Sequence, residues 1–424
     1  MLLALVLALA LTAGFACGCN RSYSASYSWV LNTIIQNYYE DIPVEELHKS
    51  IISGGVSSVL DKYSAYYTSE EYRQITASNS GNKIGIGITY QWVDEGVSSR
   101  GSGALVTCVS CGSPAWESGL KAGTFISGVR LDEEETQLTC KEDFSSFITE
   151  RAEEESFTLV TDRGDYEVAR QQYISGYCTM STSHTTYSIY YRDGNMLISE
   201  EEGIALLPEG AAYLRLDQFY GNAVEEFSAL MEKYNDDNCT SLILDLRQNG
   251  GGYVNVMCGI SGIFTGQSGI NAMTAEYKGG KRETFNVSLT PDSRNAFPKG
   301  AQLSVLADNG TASASEALIG VLISYDVIDY SDIYISDFSP EYLSFSGTQD
   351  KNCRTYGKGI MQTTFTNRAT GEALKLTTAK LYWPNGTCIH DVGLTAEKCN
   401  TVKTDWCVTY GDEQLARAIN MIYG

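Results

Sequence analysis

Between Ala212 and Gly252 the chain alternates in a way that leaves few folds open. Ala212-Tyr213-Leu214-Arg215-Leu216-Asp217-Gln218-Phe219 reads as a strand, Ala223 to Tyr234 as an amphipathic helix, and Ser241 to Leu246 as a strand apolar enough to be buried. Strands that alternate with helices bury one face of each element against the other, so the expected fold class is α/β, built in layers. The second strand runs into Gln248-Asn249-Gly250-Gly251-Gly252, where glycines allow the backbone to approach a substrate closely. No lysine-serine or lysine-threonine pair follows Gly252, so the phosphate-binding P-loop pattern fails.

Two later segments carry candidate chemistry: Asn309-Gly310-Thr311-Ala312-Ser313-Ala314-Ser315-Glu316, and Tyr356-Gly357-Lys358-Gly359 followed by Gln362. A serine hydroxyl must lose its proton as it attacks, and an uncharged lysine amine can accept it. Lysine titrates near ~10.4 when unperturbed, so such a site must bury the amine and favour its neutral form. Gln362 could orient that amine without adding a carboxylate, which would hold it charged. The chain has three histidines, His48, His184 and His390, and none lies in either segment. A second reading of the first segment stands beside this one: Ser313-Ala314-Ser315-Glu316 satisfies the S-x-x-E capping box, so Ser313 is also a helix cap by pattern.

These segments resemble the carboxy-terminal processing peptidases, or tail-specific proteases, whose nucleophile is the middle serine of S-A-S-A-S-E and whose base is the lysine of F-G-K-G. Thr311 replaces the first serine and Tyr356 the phenylalanine, while the positions that carry chemistry are intact. The resemblance implies Ser313 as nucleophile, Lys358 as general base and Gln362 as orienter. Asp245-Leu246-Arg247-Gln248-Asn249-Gly250-Gly251-Gly252 is similar to the family's D-L-R-x-N-x-G-G run, which implies an oxyanion hole from the amide of Gly251 or Gly252 together with that of Ala314. Leu374 to His390 resembles the strand and turn after the lysine, where the family does not use the histidine for catalysis, so His390 is taken as structural.

From Asn82 to about Gln172 the chain resembles a PDZ domain, a module that adds a peptide to a sheet edge while loop amides take its terminal carboxylate. Ile84-Gly85-Ile86-Gly87-Ile88 looks like the carboxylate-binding loop, making Gly85, Ile86, Gly87 and Ile88 the peptide-binding candidates. Leu60-Asp61-Lys62-Tyr63-Ser64-Ala65-Tyr66-Tyr67 resembles the family's L-D-P-Y-S-x-Y landmark, read as a helix end and packing turn. Together these imply a crotonase-like α/β protease core at 190–424, an inserted PDZ-like β domain at 82–172 and an N-terminal helical segment at 25–80. Ser313 and Lys358 stand farther apart than is usual in the family, and the surplus is placed near 331–352, as a lid over the site or as decoration.

Residues 1–19 have the apolar stretch and small-residue exit of a secretion signal, too short for the about 20 apolar residues of a membrane span. Small residues before Cys17 and Cys19 resemble a lipoprotein signal with either cysteine lipidated, which places the protein outside the cytoplasm, in the cell envelope or periplasm, with secretion as the alternative. Ten cysteines follow, and pairing is expected especially among Cys388, Cys399 and Cys407. Cys108-Val109-Ser110-Cys111 has C-x-x-C spacing but neither a second pair nor a histidine partner, so no metal or cofactor is expected. At 424 residues and 43% hydrophobic, the chain should hold two or three packed domains. A formal net charge of −22 argues against nucleic-acid binding by phosphate neutralisation. The expected function is a serine endopeptidase acting on proteins or peptides with exposed C-terminal tails. The alternatives are an inactive PDZ-containing binding scaffold and a ligand carrier on the same core.

Overall fold

The computed structural model describes residues 23–94, 101–289, 291–292, 294–337, 353–403 and 413–424. The expected signal 1–19 with Cys17 and Cys19, Cys407, and positions 338–352 of the expected insertion lie outside these residues. The chain divides into two compact units: Met1–Arg73 with Gln362–Thr377, and Gln74–Met361 with Thr378–Gly424.

The smaller unit is mainly helical in its N-terminal part, with helices at 23–37 and Val44–Val59. After the second helix Asp61 Oδ1 accepts from the N–H groups of Tyr63 and Ser64, at 3.0 and 2.9 Å, and folds the landmark into a turn. The strand Ala65–Tyr67 then pairs antiparallel with residues 373–375.

The larger unit contains two sheets that organise it. One has six strands in the order Ile88–Val93, Gly103–Val109, Phe125–Leu131, Ser156–Thr161, Tyr166–Ala169, with Glu134–Gln137 beside Phe125–Leu131. Its core is Ile86, Val106, Leu120, Ile126, Phe144 and Leu159, with helix Lys141–Glu150 supplying Phe144. The other sheet has nine strands and contains the parallel series Ala211–Leu216, Ser241–Asp245, Gln302–Ala307, Ile333–Asp337 and Asn400–Lys403. Gln171–Ser181 joins it antiparallel, flanked by Thr185–Arg192, so the expected core boundary at 190 falls inside this sheet. Asn82–Gly85 also pairs with Gln171–Ser181, outside the six-stranded sheet.

The chain is therefore α/β, and the local reasons are visible. Helix Ala223–Asp236 buries Phe227, Leu230, Met231 and Tyr234, the i, i+3, i+4, i+7 stripe, with Glu225 and Glu226 in its first turn and Lys233 in its last to suit its dipole. Ser241–Asp245 is buried at every position, as a strand covered on both faces must be. Helix Ala314–Ser324 is buried from Ala314 through Leu322, and each fully buried leucine or isoleucine there is worth roughly 1.5–3 kcal/mol.

Positions 333–337 of the expected insertion lie in the core sheet. Ile333–Asp337 is a core strand, with Val305 opposite Ile333 and Ile335 opposite Thr401, and Ile333 and Ile335 are fully buried. Apolar side chains at alternate positions are what such a strand requires, so 331–337 belongs to the fold and any surplus begins after it.

Candidate active site

Ser313 stands where the strand Gln302–Ala307 turns into the helix Ala314–Ser324. Its backbone is held at φ 58° and ψ −113°, a conformation that an L-residue adopts only under constraint, at a cost on the order of 1–3 kcal/mol. The surrounding turn supplies the constraint. Asp308, buried at its foot, accepts from Gly310 N–H at 2.9 Å and Gln248 N–H at 2.9 Å. Thr311 donates its hydroxyl to the Leu246 carbonyl at 2.8 Å, and Ala312 N–H reaches the Asn249 carbonyl at 3.0 Å. The serine turn is thus locked to the glycine turn by side chains and backbone together. Such strained strand-to-helix turns lift a nucleophile clear of its backbone.

The glycine turn is fixed from below. Asp245 is buried and binds the Arg247 guanidinium, with Nη2 at 2.6 Å and Nε at 3.0 Å, and accepts from the Tyr213 hydroxyl at 2.6 Å. Burial and the adjacent carboxylate push the Tyr213 phenol well above its ordinary value. Asn249, also buried, donates to the Leu216 carbonyl at 2.7 Å and accepts from Gly251 N–H at 2.9 Å. Of the two glycine amides offered as alternatives for the oxyanion hole, that of Gly251 is therefore already engaged. Neither the Gly252 N–H nor the Ala314 N–H has a hydrogen-bond partner among the described residues.

Gly251 serves the site in another way. At φ +97°, a Cβ added there would lie 2.7 Å from Ala314 N and 2.9 Å from Ser313 Cβ. Only glycine leaves that space open.

Lys358 arrives on a stretch clasped from both sides. Tyr356 N–H donates to the Thr311 carbonyl at 3.0 Å, and the Gly357 carbonyl accepts from Asp391 N–H at 2.8 Å. A Cβ at Gly359 would meet the His390 backbone nitrogen at 2.7 Å, which explains glycine beside the lysine. Ser313 and Lys358 line one small cleft, with an apolar wall of Met273, Ala317, Leu381, Trp383 and Ile389. None of the three histidines lines it. His390 instead lies with Nε2 3.5 Å from Asp391 Oδ2.

Sequence reasoning missed the second role of Glu316. Its Oε2 accepts from Ser313 N–H at 3.0 Å, the half of the capping box visible in the sequence, and also from Lys358 N–H at 2.9 Å. Its Oε1 accepts from Gly357 N–H at 2.8 Å and the Thr355 hydroxyl at 2.6 Å. Burial raises its pKa, while these four donors pull the other way.

Gln362 belongs to the smaller unit, where its Nε2 donates to Thr377 Oγ1 at 3.1 Å. At Gly85 to Ile88, the Ile86 carbonyl accepts from Ala115 N–H at 2.9 Å and the Gly87 carbonyl from Ser110 N–H at 2.8 Å, so this stretch is tied to helix Pro114–Glu117 and to the turn before it. Among the described residues, no group of three or more His, Cys, Asp or Glu side chains is placed to hold a metal ion.

Residues 210–328 match the model of Peptidase family S41. Proteins of Staphylococcus epidermidis ATCC 12228 and Staphylococcus aureus N315, both named as probable CtpA-like serine proteases, are 25% identical to the chain over 388 and 389 residues, 89% of its length. The chain spans 66% and 65% of the length of these two relatives. A solved structure from Bacteroides fragilis NCTC 9343, described as a candidate S41 protease, superposes with a TM-score of 0.59 at 14% identity, covering 93% of this chain and 96% of that one. That likeness is one of fold.

Proposed function

We propose, from the premise that this chain belongs with the S41 peptidases through residues 210–328, that it is a serine endopeptidase working by acyl-enzyme chemistry. The observation that carries the reading is the backbone of Ser313, held at φ 58° and ψ −113° on the cleft that Lys358 also lines. Strain of this kind persists only where the surroundings over-determine it, and it concentrates at reactive residues.

In this reading Ser313 Oγ attacks the scissile carbonyl as its proton passes to Lys358 Nζ. The carbonyl oxygen, now negative, is taken by the amides of Ala314 and Gly252, the pair left without other partners among the described residues. Lys358 returns the proton to the leaving amine, and water then releases the acyl group from Ser313. Gln362, four residues beyond the lysine in the chain, is assigned the orientation of its amine.

Substrates are taken to be proteins or peptides with exposed, apolar or weakly polar C-terminal tails. The PDZ-like region at 82–172 would select them, with the amides of Gly85 to Ile88 at the terminal carboxylate and the peptide added as a strand. Residues 1–19 are assigned to export, with Cys17 or Cys19 as a lipid anchor, which places the activity outside the cytoplasm. No helix among the described residues is long and apolar enough to cross a membrane.

The test is an unstructured substrate ending in an apolar tail, incubated with the wild type, Ser313→Ala and Lys358→Ala. Cleavage by the wild type, lost in both variants while their circular dichroism is unchanged, is the expected result. Full activity in Lys358→Ala would remove the dyad. Tail binding without cleavage by the wild type would favour the scaffold.

A further inference from the structure

Nine cysteines lie among the described residues, all as thiols. In Cys108-Val109-Ser110-Cys111 the sequence suggests a pair, yet the Cys111 sulfur is turned to Ser199 Oγ at 3.2 Å. Cys178, Cys239 and Cys258 are buried in the core. Cys399 is buried in the same core, and Cys353 packs against it.

Cys353 hangs beneath the strand Ile333–Asp337, its Sγ donating to the Ile335 carbonyl at 3.6 Å. Its own carbonyl accepts from Ala396 N–H at 3.1 Å, and the next residue, Arg354, forms an antiparallel bridge with Thr395. Cys399 closes the turn that starts at the same Thr395, its N–H donating to that carbonyl at 3.1 Å. It then leads into Asn400–Lys403, which lies parallel to Ile333–Asp337 with Thr401 opposite Ile335. Both cysteines therefore lie beside one pair of adjacent strands and one turn, Cys399 within the core cluster and Cys353 packed against it. Burial pushes the Cys399 thiol up to about 12, and the next contribution comes from Cys353, as expected of neighbouring sulfurs.

We infer that Cys353 and Cys399 form a redox pair, closed into a disulfide by exchange with a disulfide oxidant. Cys353, half-buried, is the thiol an external reagent meets first, while Cys399 is 8% exposed. The Cys353 thiolate attacks the oxidant's disulfide, expels one thiol and forms a mixed disulfide. Cys399 then gives up its proton and displaces the second thiol, so the chain's two thiols are oxidised and one external disulfide is reduced to two thiols. The consequence reaches the candidate site. The bond would pin residues 353–357, whose Thr355 hydroxyl and Gly357 amide are held by Glu316, directly before Lys358.

The test needs no peptidase activity. The purified full chain is equilibrated with oxidised glutathione, its remaining thiols are alkylated in denaturant, and it is digested with trypsin. A disulfide-linked pair of the peptides 352–354 and 399–403 is expected, with Cys178, Cys239 and Cys258 alkylated. Oxidation should raise Tm by roughly 5 °C. That rise should vanish in Cys353→Ser and in Cys399→Ala, and no further in the double variant. Recovery of both cysteines alkylated after oxidation, or of Cys399 linked to Cys388 or Cys407, would overturn the pairing. Because the peptide map is made on the wild type, it decides even if a variant fails to fold.

Discussion

Ser313 and Lys358 share one hydrogen-bond acceptor: Glu316 Oε2 takes the N–H of Ser313 at 3.0 Å and the N–H of Lys358 at 2.9 Å. The helix that begins after the serine thereby holds the lysine's backbone as well. Glu316→Gln tests the arrangement, because a carboxamide has one accepting oxygen and its NH2 must face donors on the other side. Each buried amide left unpaired costs about 1–3 kcal/mol, so a stability loss of about 2–4 kcal/mol is expected in denaturant titration. Hydrolysis should show kcat lowered at least about tenfold with KM little changed, since positioning and not substrate binding is disturbed. Wild-type kcat in Glu316→Gln would show that the shared acceptor does not position the pair.

Gly251→Ala tests the space in front of the serine. Its Cβ would press on Ala314 N, Ala312 O and Ser313 Cβ at 2.7, 2.8 and 2.9 Å, two of them backbone atoms that cannot swing aside. The expected loss in kcat is ~10²–10³, the scale of a disabled oxyanion donor. Gly250→Ala is the control, since nothing lies within 4 Å of a Cβ there, and it should turn over at the wild-type rate. Equal rates for both variants would remove Gly251 from the site.

Much of this was legible because local pattern and tertiary demand agree. The apolar run from Ser241 suits a covered strand, and the stripe on Ala223–Asp236 suits a helix with one buried face. The capping-box pattern at Ser313 also told the truth, but only its local half. Three of the four donors on Glu316 come from Thr355, Gly357 and Lys358, about forty positions away, and no local spacing announces a bond that only folding creates. Asn249 left a fainter trace. It stands in the glycine-rich run, where a buried amide that ties Leu216 to Gly251 has a reason to be, yet only the structure shows those partners.

Ile335 separates the core strand from the insertion expected around it. It is fully buried between Gln302–Ala307 and Asn400–Lys403, so Ile335→Ala should cost about 2–5 kcal/mol through lost burial and the cavity left behind. Urea unfolding with an unchanged m value measures this. A cost within ~0.5 kcal/mol, ordinary for a surface loop, would return 331–337 to the insertion.

Alkaline stability should be limited by buried thiols, and Cys258 isolates the effect. It sits on helix Val254–Thr265 at 3% exposure, and burial alone pushes its thiol from 9.0 up to about 11. Below the lower value both folded and unfolded chains keep the proton, so nothing is lost. Between the two values only the unfolded chain releases it, and stability falls by about 1.4 kcal/mol per pH unit, roughly 3 kcal/mol in all. Cys239, raised to about 11, and Cys399, raised to about 12, act in the same direction. Cys258→Ala should lower stability at neutral pH by leaving a small cavity, yet its decline across this window should be shallower by one proton's worth. Unfolding free energies measured at several pH values through the window separate the two effects, because the cavity shifts the whole curve and the thiol changes only its slope. An unchanged slope in Cys258→Ala would mean that the thiol ionises as readily in the folded protein as in the unfolded chain.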